Sequence, residues 1–298
     1  MKPYLVLLRP KQWVKNLFLF APLIFSKHLF EPGFFATELL GFAVFCLLSS
    51  SVYVLNDVAD READKLHPTK RERPVAAGVI SPQIAVMIAL VLLACAAMMS
   101  IGLDRKFQIV AVLYLSLNIA YSFRLKQIIL IDVFIIAAGF MLRVLAGAFV
   151  INVEVSHWLV LCTLFVSLFL AVSKRRGELL LIQQTNEIIG RQVLREYDVA
   201  FIDQIITITA SGMAISYALY TVAERTVTVF QTENLIFTTV FVLFGIFRYL
   251  YLLKVKKTED NPTTMLMTDP VMMVNVVAWF AVCVLIIYSR DLQAFFLN

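Results

Sequence analysis

Charge is scarce in this sequence. Only 16% of its 298 residues are Asp, Glu, Lys or Arg, while 60% are hydrophobic. A soluble domain has too little interior to hide that much apolar surface, so the composition calls for a bilayer as solvent. Histidine is rare, with three in the chain, and there are four cysteines. Cys46, Cys95, Cys162 and Cys283 fall inside apolar runs and share no metal-type spacing, which predicts buried thiols and no disulfide. No serine or cysteine sits in a nucleophile motif, and His67 alone of the histidines falls near the acidic segments. Chemistry by a nucleophile and its base is thereby disfavoured. There is no soluble basic domain, so the net charge of +5 argues for lysines and arginines between membrane spans and against nucleic acid as a partner. No small-residue cleavage site follows the first apolar run, so a cleavable leader is not expected.

What is abundant is apolar sequence in runs of roughly 18 residues or more. They predict an all-α, polytopic membrane helical bundle of about nine spans. The spans fall approximately at 17–30, 35–56, 82–103, 107–123, 128–151, 156–173, 201–222, 234–253 and 270–289. The first is short and interrupted by Pro22, which predicts a bent or interfacial segment. No linker divides the chain, so residues 1–298 are expected to form one domain. Alternate loops carry nineteen lysines and arginines against five in the opposite loops. That bias predicts a cytoplasmic N-terminus, motif loops on the cytoplasmic face of the plasma (inner) membrane, and a C-terminus outside. The loop at 174–200 is long enough for a helix with a wet face of Glu178, Glu187, Arg191, Arg195 and Glu196.

The acidic residues gather at the end of the second span, in Asn56-Asp57-Val58-Ala59-Asp60-Arg61-Glu62-Ala63-Asp64. Asn56, Asp60 and Asp64 recur every four residues and share one helical face, with Asp57 beside them. Carboxylates so crowded repel one another unless a cation sits between them. Asp57, Asp60 and Asp64 are therefore the candidate ligands of a magnesium ion that itself carries phosphate. Lys70-Arg71-Glu72-Arg73-Pro74 follows, with basic groups for phosphate oxygens; Arg73, on the stiff backbone before Pro74, suits a bidentate contact. At the end of the fourth span come Tyr121 and Lys126, the latter a candidate to neutralise a departing pyrophosphate. Arg143 lies inside the fifth span, where a cation needs a polar cavity or an acidic partner; Asp132 opens the same span. Lys174 and Glu178 end the sixth span four residues apart, suited to a phosphate and a metal-bound water, or to an ordinary ion pair with each other. Near the N-terminus, Arg9-Pro10-Lys11-Gln12-Trp13-Val14-Lys15-Asn16 sets lysines beside an interfacial tryptophan.

With these motifs in hand, the chain resembles the UbiA superfamily of intramembrane prenyltransferases. The likeness is carried by Asn56-Asp57-x-x-Asp60-x-x-x-Asp64, Arg73-Pro74 with Gly78, and the Tyr121 motif. Such proteins hold magnesium and pyrophosphate with two acidic motifs over a lipid-lined cavity. The second motif departs here: Lys174-x-x-x-Glu178 stands where the family has Asp-x-x-x-Asp. Arg9 to Asn16, His67-Pro68-Thr69-Lys70-x-x-Arg73-Pro74, Ser173 to Glu178, Asn261-Pro262-Thr263 and Asp269-Pro270 resemble one branch, the decaprenyl-phosphate phosphoribosyltransferases.

That resemblance implies a magnesium-dependent glycosyltransferase. It would move 5-phosphoribose from phosphoribosyl pyrophosphate (PRPP) to a polyprenyl monophosphate and release pyrophosphate, its product serving cell-wall arabinose donors. It implies catalytic roles for Asp60, Asp64 and Lys126. Substrate binding would fall to Lys15, Asn56, Lys70, Arg73, Tyr121, Arg143, Lys174 and Glu178. A homo-oligomer is compatible with the sequence. Two alternatives stay open: prenyl transfer from a prenyl diphosphate to an aromatic or glycerol acceptor, and a membrane transporter. The extra cation at Lys174 weighs against the first, and the clustering of polar groups at one face against the second.

Overall fold

The computed structural model describes residues 2–66, 69–185, 197–255, 265 and 268–289. All regular elements among them are helical, and they gather into two compact units, 1–155 and 156–298. Among the described residues eight helical segments, Asn234–Lys254 counted as one, are long and apolar enough to cross a membrane, and the protein is a multi-pass membrane protein.

The first unit opens with α1 (Lys2–Leu8), a 3-10 helix (Pro10–Leu19) and α2 (Phe20–Phe25). It continues through α3 (Pro32–Ala59), the short α4 (Arg61–Lys65), α5 (Pro82–Ser100), α6 (Arg105–Phe123) and α7 (Ile131–Val150). Eight of the nine stretches expected to span became long helices. The ninth, 17–30, is shared between the 3-10 helix and α2, in keeping with its interruption at Pro22. Helix starts follow local chemistry. Pro32 and Pro82 occupy first-turn positions, where no amide donor is needed. Ser81 Oγ accepts from the Ile84 amide, and Asp104 Oδ1 accepts from the Lys106 amide at 2.7 Å.

Helix α3 is the hub of this unit, packing against α1, the 3-10 helix, α5, α6 and α7. Its Val44, Phe45 and Leu48 join Phe107, Val110 and Tyr114 of α6 and Ala146 and Val150 of α7 in the core. The opposite pattern marks α5, whose exposed Met87, Val91 and Met98 recur at helical spacing and face the lipid.

The 3-10 helix is unusual, because such helices seldom exceed three or four residues. Ten residues hold the form here, and a period of three explains why. Trp13, Asn16 and Leu19 eclipse one another on one face, and each is fixed to the bundle. Trp13 Nε1 donates to Ser50 Oγ at 2.9 Å. Asn16 and Leu19 are wholly buried. Gly147 of α7 lies so close to the Leu19 carbonyl oxygen that a Cβ there would overlap it. Arg9, just before the helix, sits in the left-handed region at φ 52°. For a non-glycine residue that conformation costs on the order of 1–3 kcal/mol and persists only where surroundings hold it.

The second unit contains α8 (His157–Thr185), α9 (Val199–Val222), α10 (Glu224–Phe230), α11 (Thr239–Lys254) and α12 (Pro270–Ile287). Helix α8 runs without a break to Thr185, so Lys174 and Glu178 lie on the spanning helix itself and not on a separate loop helix. Glu187, Arg191, Arg195, Glu196 and Asn261-Pro262-Thr263 lie outside the described residues, as do His67 and Pro68. At the ends of its helices, Arg176 Nε donates to Asp203 Oδ1 at 2.8 Å and its Nη1 to the Leu253 carbonyl at 3.1 Å. Asp269 caps α12, accepting from the Met272 amide while pairing bidentately with Arg248.

Candidate active site

Helix α3 stops at Ala59, and Asp60 leaves helical geometry at φ −91°, ψ 6° before α4 resumes. The acidic motif therefore spans two helices, and its carboxylates do not all converge. Asp57 and Asp64, both buried, share one cation: Arg73 Nη1 lies 3.2 Å from Asp57 Oδ1 and 2.6 Å from Asp64 Oδ2. Arg9 Nη2 also pairs closely with Asp57 Oδ1, its guanidinium 5.2 Å above the Tyr53 ring. Asp60 turns away to Lys126, whose Nζ donates to Oδ1 at 2.6 Å. Asn56 Oδ1 meets the Ser122 hydroxyl, tying the end of α3 to the end of α6. Every acid of this rim thus has a base, and the rim as a whole is nearly neutral.

Arg73 owes its position to the turn behind it. Lys70 begins a single 3-10 turn, and its carbonyl accepts from the Arg73 amide at 3.0 Å. The chain then folds back through Pro74, with the Ile80 amide donating to the Pro74 carbonyl. Gly78 supplies the φ of +74° that this turn requires; space around it is open, so torsion alone demands glycine. Tyr121 is half-buried on α6, next to Ser122.

Beneath the rim lies a second polar layer. Arg143 is buried, and its donors all meet neutral acceptors. Nε donates to Asn16 Oδ1 at 2.7 Å, Nη1 to the Gly139 carbonyl at 2.9 Å, and Nη2 to Tyr114 Oη at 2.8 Å. Its guanidinium lies 4.7 Å from the Tyr114 ring centre. Asp132, one acidic partner available on the same helix, is buried at the start of α7, and no ion pair joins it to Arg143 among the described residues. Asn16 is held in turn by Ser49 Oγ at 3.2 Å. Lys15, half-buried, forms no ion pair among the described residues. Burial first, and then the nearby Arg143 and Arg9, bring its pKa down to about 8. Burial likewise lowers Arg9, with Asp57 pulling the other way.

In the second unit Lys174 Nζ is 3.8 Å from Glu178 Oε1, and Arg175 Nη1 pairs with Glu178 more closely. The ion-pair arrangement open in the sequence is the one present. Arg175 and Arg9 are the residues sequence reasoning passed over. Arg9 stood in a noted motif, but its partner is 48 positions away, and no spacing rule reaches that far.

The donor set can be tested for a divalent cation. Among the described residues no three His, Cys, Asp or Glu side chains are gathered for a metal. Asp57 and Asp64 nonetheless converge on a single nitrogen, so one positive charge already sits between two hard-oxygen donors. Magnesium is content with one or two carboxylates when water and phosphate complete its shell. The residues fit such an ion brought in by a phosphorylated ligand.

The chain belongs to the UbiA prenyltransferase family, whose model matches residues 17–277. It is a transferase of that family. In sequence it is similar to the decaprenyl-phosphate phosphoribosyltransferase of Mycolicibacterium smegmatis, 38% identical over 216 residues that cover 71% of this chain and 68% of that protein. The protein of the same description from Mycobacterium tuberculosis H37Rv is 35% identical over 217 residues, 72% of each chain. The fold matches a UbiA homologue from Archaeoglobus fulgidus, solved with GPP and Mg2+, at a TM-score of 0.70 over 96% of this chain and 98% of that one. With 16% identity, that likeness speaks for the fold alone.

Proposed function

We propose that this protein transfers 5-phosphoribose from PRPP to a polyprenyl monophosphate at the cytoplasmic face of the plasma membrane, releasing pyrophosphate. The observation that carries the reading is a set of five cations against the three acids of the rim, the excess lying in the layer beneath it. Arg9, Arg73 and Lys126 line the rim, with Lys15 and Arg143 beneath it. A donor with a pyrophosphate and a 5-phosphate, and an acceptor with its own phosphate, would use them all. The similarity to the mycobacterial phosphoribosyltransferases supports the same substrates. The family match over most of the chain supports a single functional domain.

In this reading Asp57 and Asp64 would hold magnesium, joined by Asp60 once Lys126 leaves it, and the ion would supply charge neutralisation to the pyrophosphate. Arg73 and Lys126 leave their carboxylates and take up pyrophosphate oxygens. Positive groups aimed at that site stabilise the charge that develops as the ribose C1–O bond breaks. A lipid phosphate oxygen then forms the new bond at C1 from the opposite side, with inversion. That oxygen is already ionised near neutral pH, so no general base is needed. Asn56 and Ser122 hold the two helix ends in register, and Lys70 and Tyr121 flank the donor. In the second unit, Lys174 and Glu178 stand in the sequence where the family has its second acidic motif, and on that resemblance alone they are read as substrate-binding residues. The product is a lipid-linked phosphoribose of the kind that precedes arabinose donors for the cell wall.

The test is direct. Purified protein in nanodiscs is given Mg2+, labelled PRPP and decaprenyl phosphate, and labelled lipid is the expected product. No labelled lipid, with activity instead on a prenyl diphosphate and an aromatic acid, would overturn the assignment in favour of prenyl transfer.

A further inference from the structure

We infer that Lys15, backed by Arg143 and Asn16, is the binding site for the phosphate of the lipid acceptor, one layer below the rim that takes the donor's pyrophosphate. The inference rests on the phosphoribosyl-transfer reading and deepens it.

Depth is the first argument. On α3, Ser49, which touches Asn16, precedes Asp57 by eight residues, or about 12 Å along the helix. On α6, Tyr114, which touches Arg143, precedes Ser122 at the rim by the same eight residues, again about 12 Å. Two separate helices thus give the same offset between the layers. Lys15 directly precedes Asn16 on the 3-10 helix and follows Arg9 by six residues, about 12 Å at 2.0 Å of rise each, so its backbone stands at the lower layer.

Charge is the second argument. Arg143 is buried in the bundle with an amide, a carbonyl and a phenol for partners and no carboxylate among the described residues. Lys15 has no acidic partner there either. A buried guanidinium on neutral partners, with an ammonium on the residue next to Asn16, is costly in the absence of an anion. A phosphate monoester supplies it. The rim differs in kind, because each of its cations already has a carboxylate.

The geometry of displacement is the third. The entering oxygen must approach C1 from the side opposite the leaving group. With pyrophosphate on Arg73 and Lys126 above, the nucleophile comes from below, where Lys15 waits. The C4 substituent that carries the 5-phosphate lies on that same ring face, so binding of a lipid phosphate without any ribose is what separates the two at Lys15. A phosphate on Lys15 also leaves its polyprenyl chain pointing deeper into the membrane, where apolar chains belong. Lys15 is the contact; Arg143, beneath the surface, is a positioning residue that holds Asn16 and supplies the field.

The experiment measures binding without turnover, on the whole protein in detergent, with farnesyl phosphate, farnesol and PRPP–Mg2+ as probes. Lys15→Gln is expected to weaken farnesyl phosphate about tenfold or more, the size of one charge-assisted hydrogen bond, while PRPP affinity stays within about threefold. Lys15→Arg should restore most of the loss, and farnesol should bind weakly to all forms. Lys126→Gln should show the mirror image, losing PRPP and keeping farnesyl phosphate. Loss of PRPP binding in Lys15→Gln with farnesyl phosphate unaffected would assign Lys15 to the donor and overturn the inference. So would equal affinity of wild type and Lys15→Gln for farnesyl phosphate, or its failure to bind wild type. Lys15-dependent farnesyl phosphate binding in a protein that transfers no phosphoribose would instead sink the proposed reaction and leave this site standing.

Discussion

Arg73 Nη1 stands 2.6 Å from Asp64 Oδ2, and the same nitrogen reaches Asp57. One arginine thus holds the two buried acids of the rim together. A divalent ion arriving alone must displace that arginine with nothing to receive it. Arriving with pyrophosphate, it brings the oxygens that Arg73 can take. Mn2+ read by electron paramagnetic resonance should therefore bind weakly alone and at least tenfold more tightly with pyrophosphate present, a gain of about 1.4 kcal/mol. Arg73→Lys, a point charge that cannot fork between two groups, should reduce that gain.

Asp60 and Lys126 form a more open pair, with the carboxylate side chain 38% exposed. Exposed ion pairs contribute little to stability, on the order of 0–1 kcal/mol. Asp60→Asn should leave the melting temperature within about 2 °C while cutting phosphoribose transfer roughly a hundredfold. A large drop in melting temperature would assign the residue to the scaffold instead.

Lys15 gives a pH signature. Its folded pKa of about 8 lies below the ordinary 10.5, so between those values the unfolded chain binds a proton that the folded protein has released. Stability then rises with pH across that window. Below about pH 8 both states are protonated and the burial cost is constant. Lys15→Met should therefore melt higher than wild type at pH 7, with the difference shrinking toward pH 10. A difference that stays flat from pH 7 to 10 would contradict the shift.

Gly147 tests the seat of the 3-10 helix. A methyl group there meets the Leu19 carbonyl, so Gly147→Ala should cost about 1–3 kcal/mol through overpacking. The displaced helix should also loosen Asn16 from Arg143, weakening farnesyl phosphate binding more than PRPP binding.

Much of this was legible in the sequence. Apolar run lengths placed the spanning helices, because that signal is local. The four-residue spacing of Asn56, Asp60 and Asp64 located the rim, but it assumed one helix; the break at Asp60 sends that side chain to Lys126. Arg143 was expected to need a polar cavity or an acid, and Asn16, 127 positions away, gave it an amide. Pairings of that range depend on packing, and spacing along the chain does not report them. The period of three in Trp13, Asn16 and Leu19 was present in the sequence. It fits neither an amphipathic α-helix nor a strand, and so it escaped notice.

The ten-residue 3-10 helix has a consequence for how the chain can vary. At about 2.0 Å of rise per residue it covers some 20 Å, where an α-helix of equal length covers about 15 Å. It works as a ruler from Arg9 at the surface to Leu19 against α7. Inserting or deleting a single residue would turn its inward face by a third of a revolution and move Lys15 off its mark, so this short stretch tolerates exchange of residues far better than any change of length.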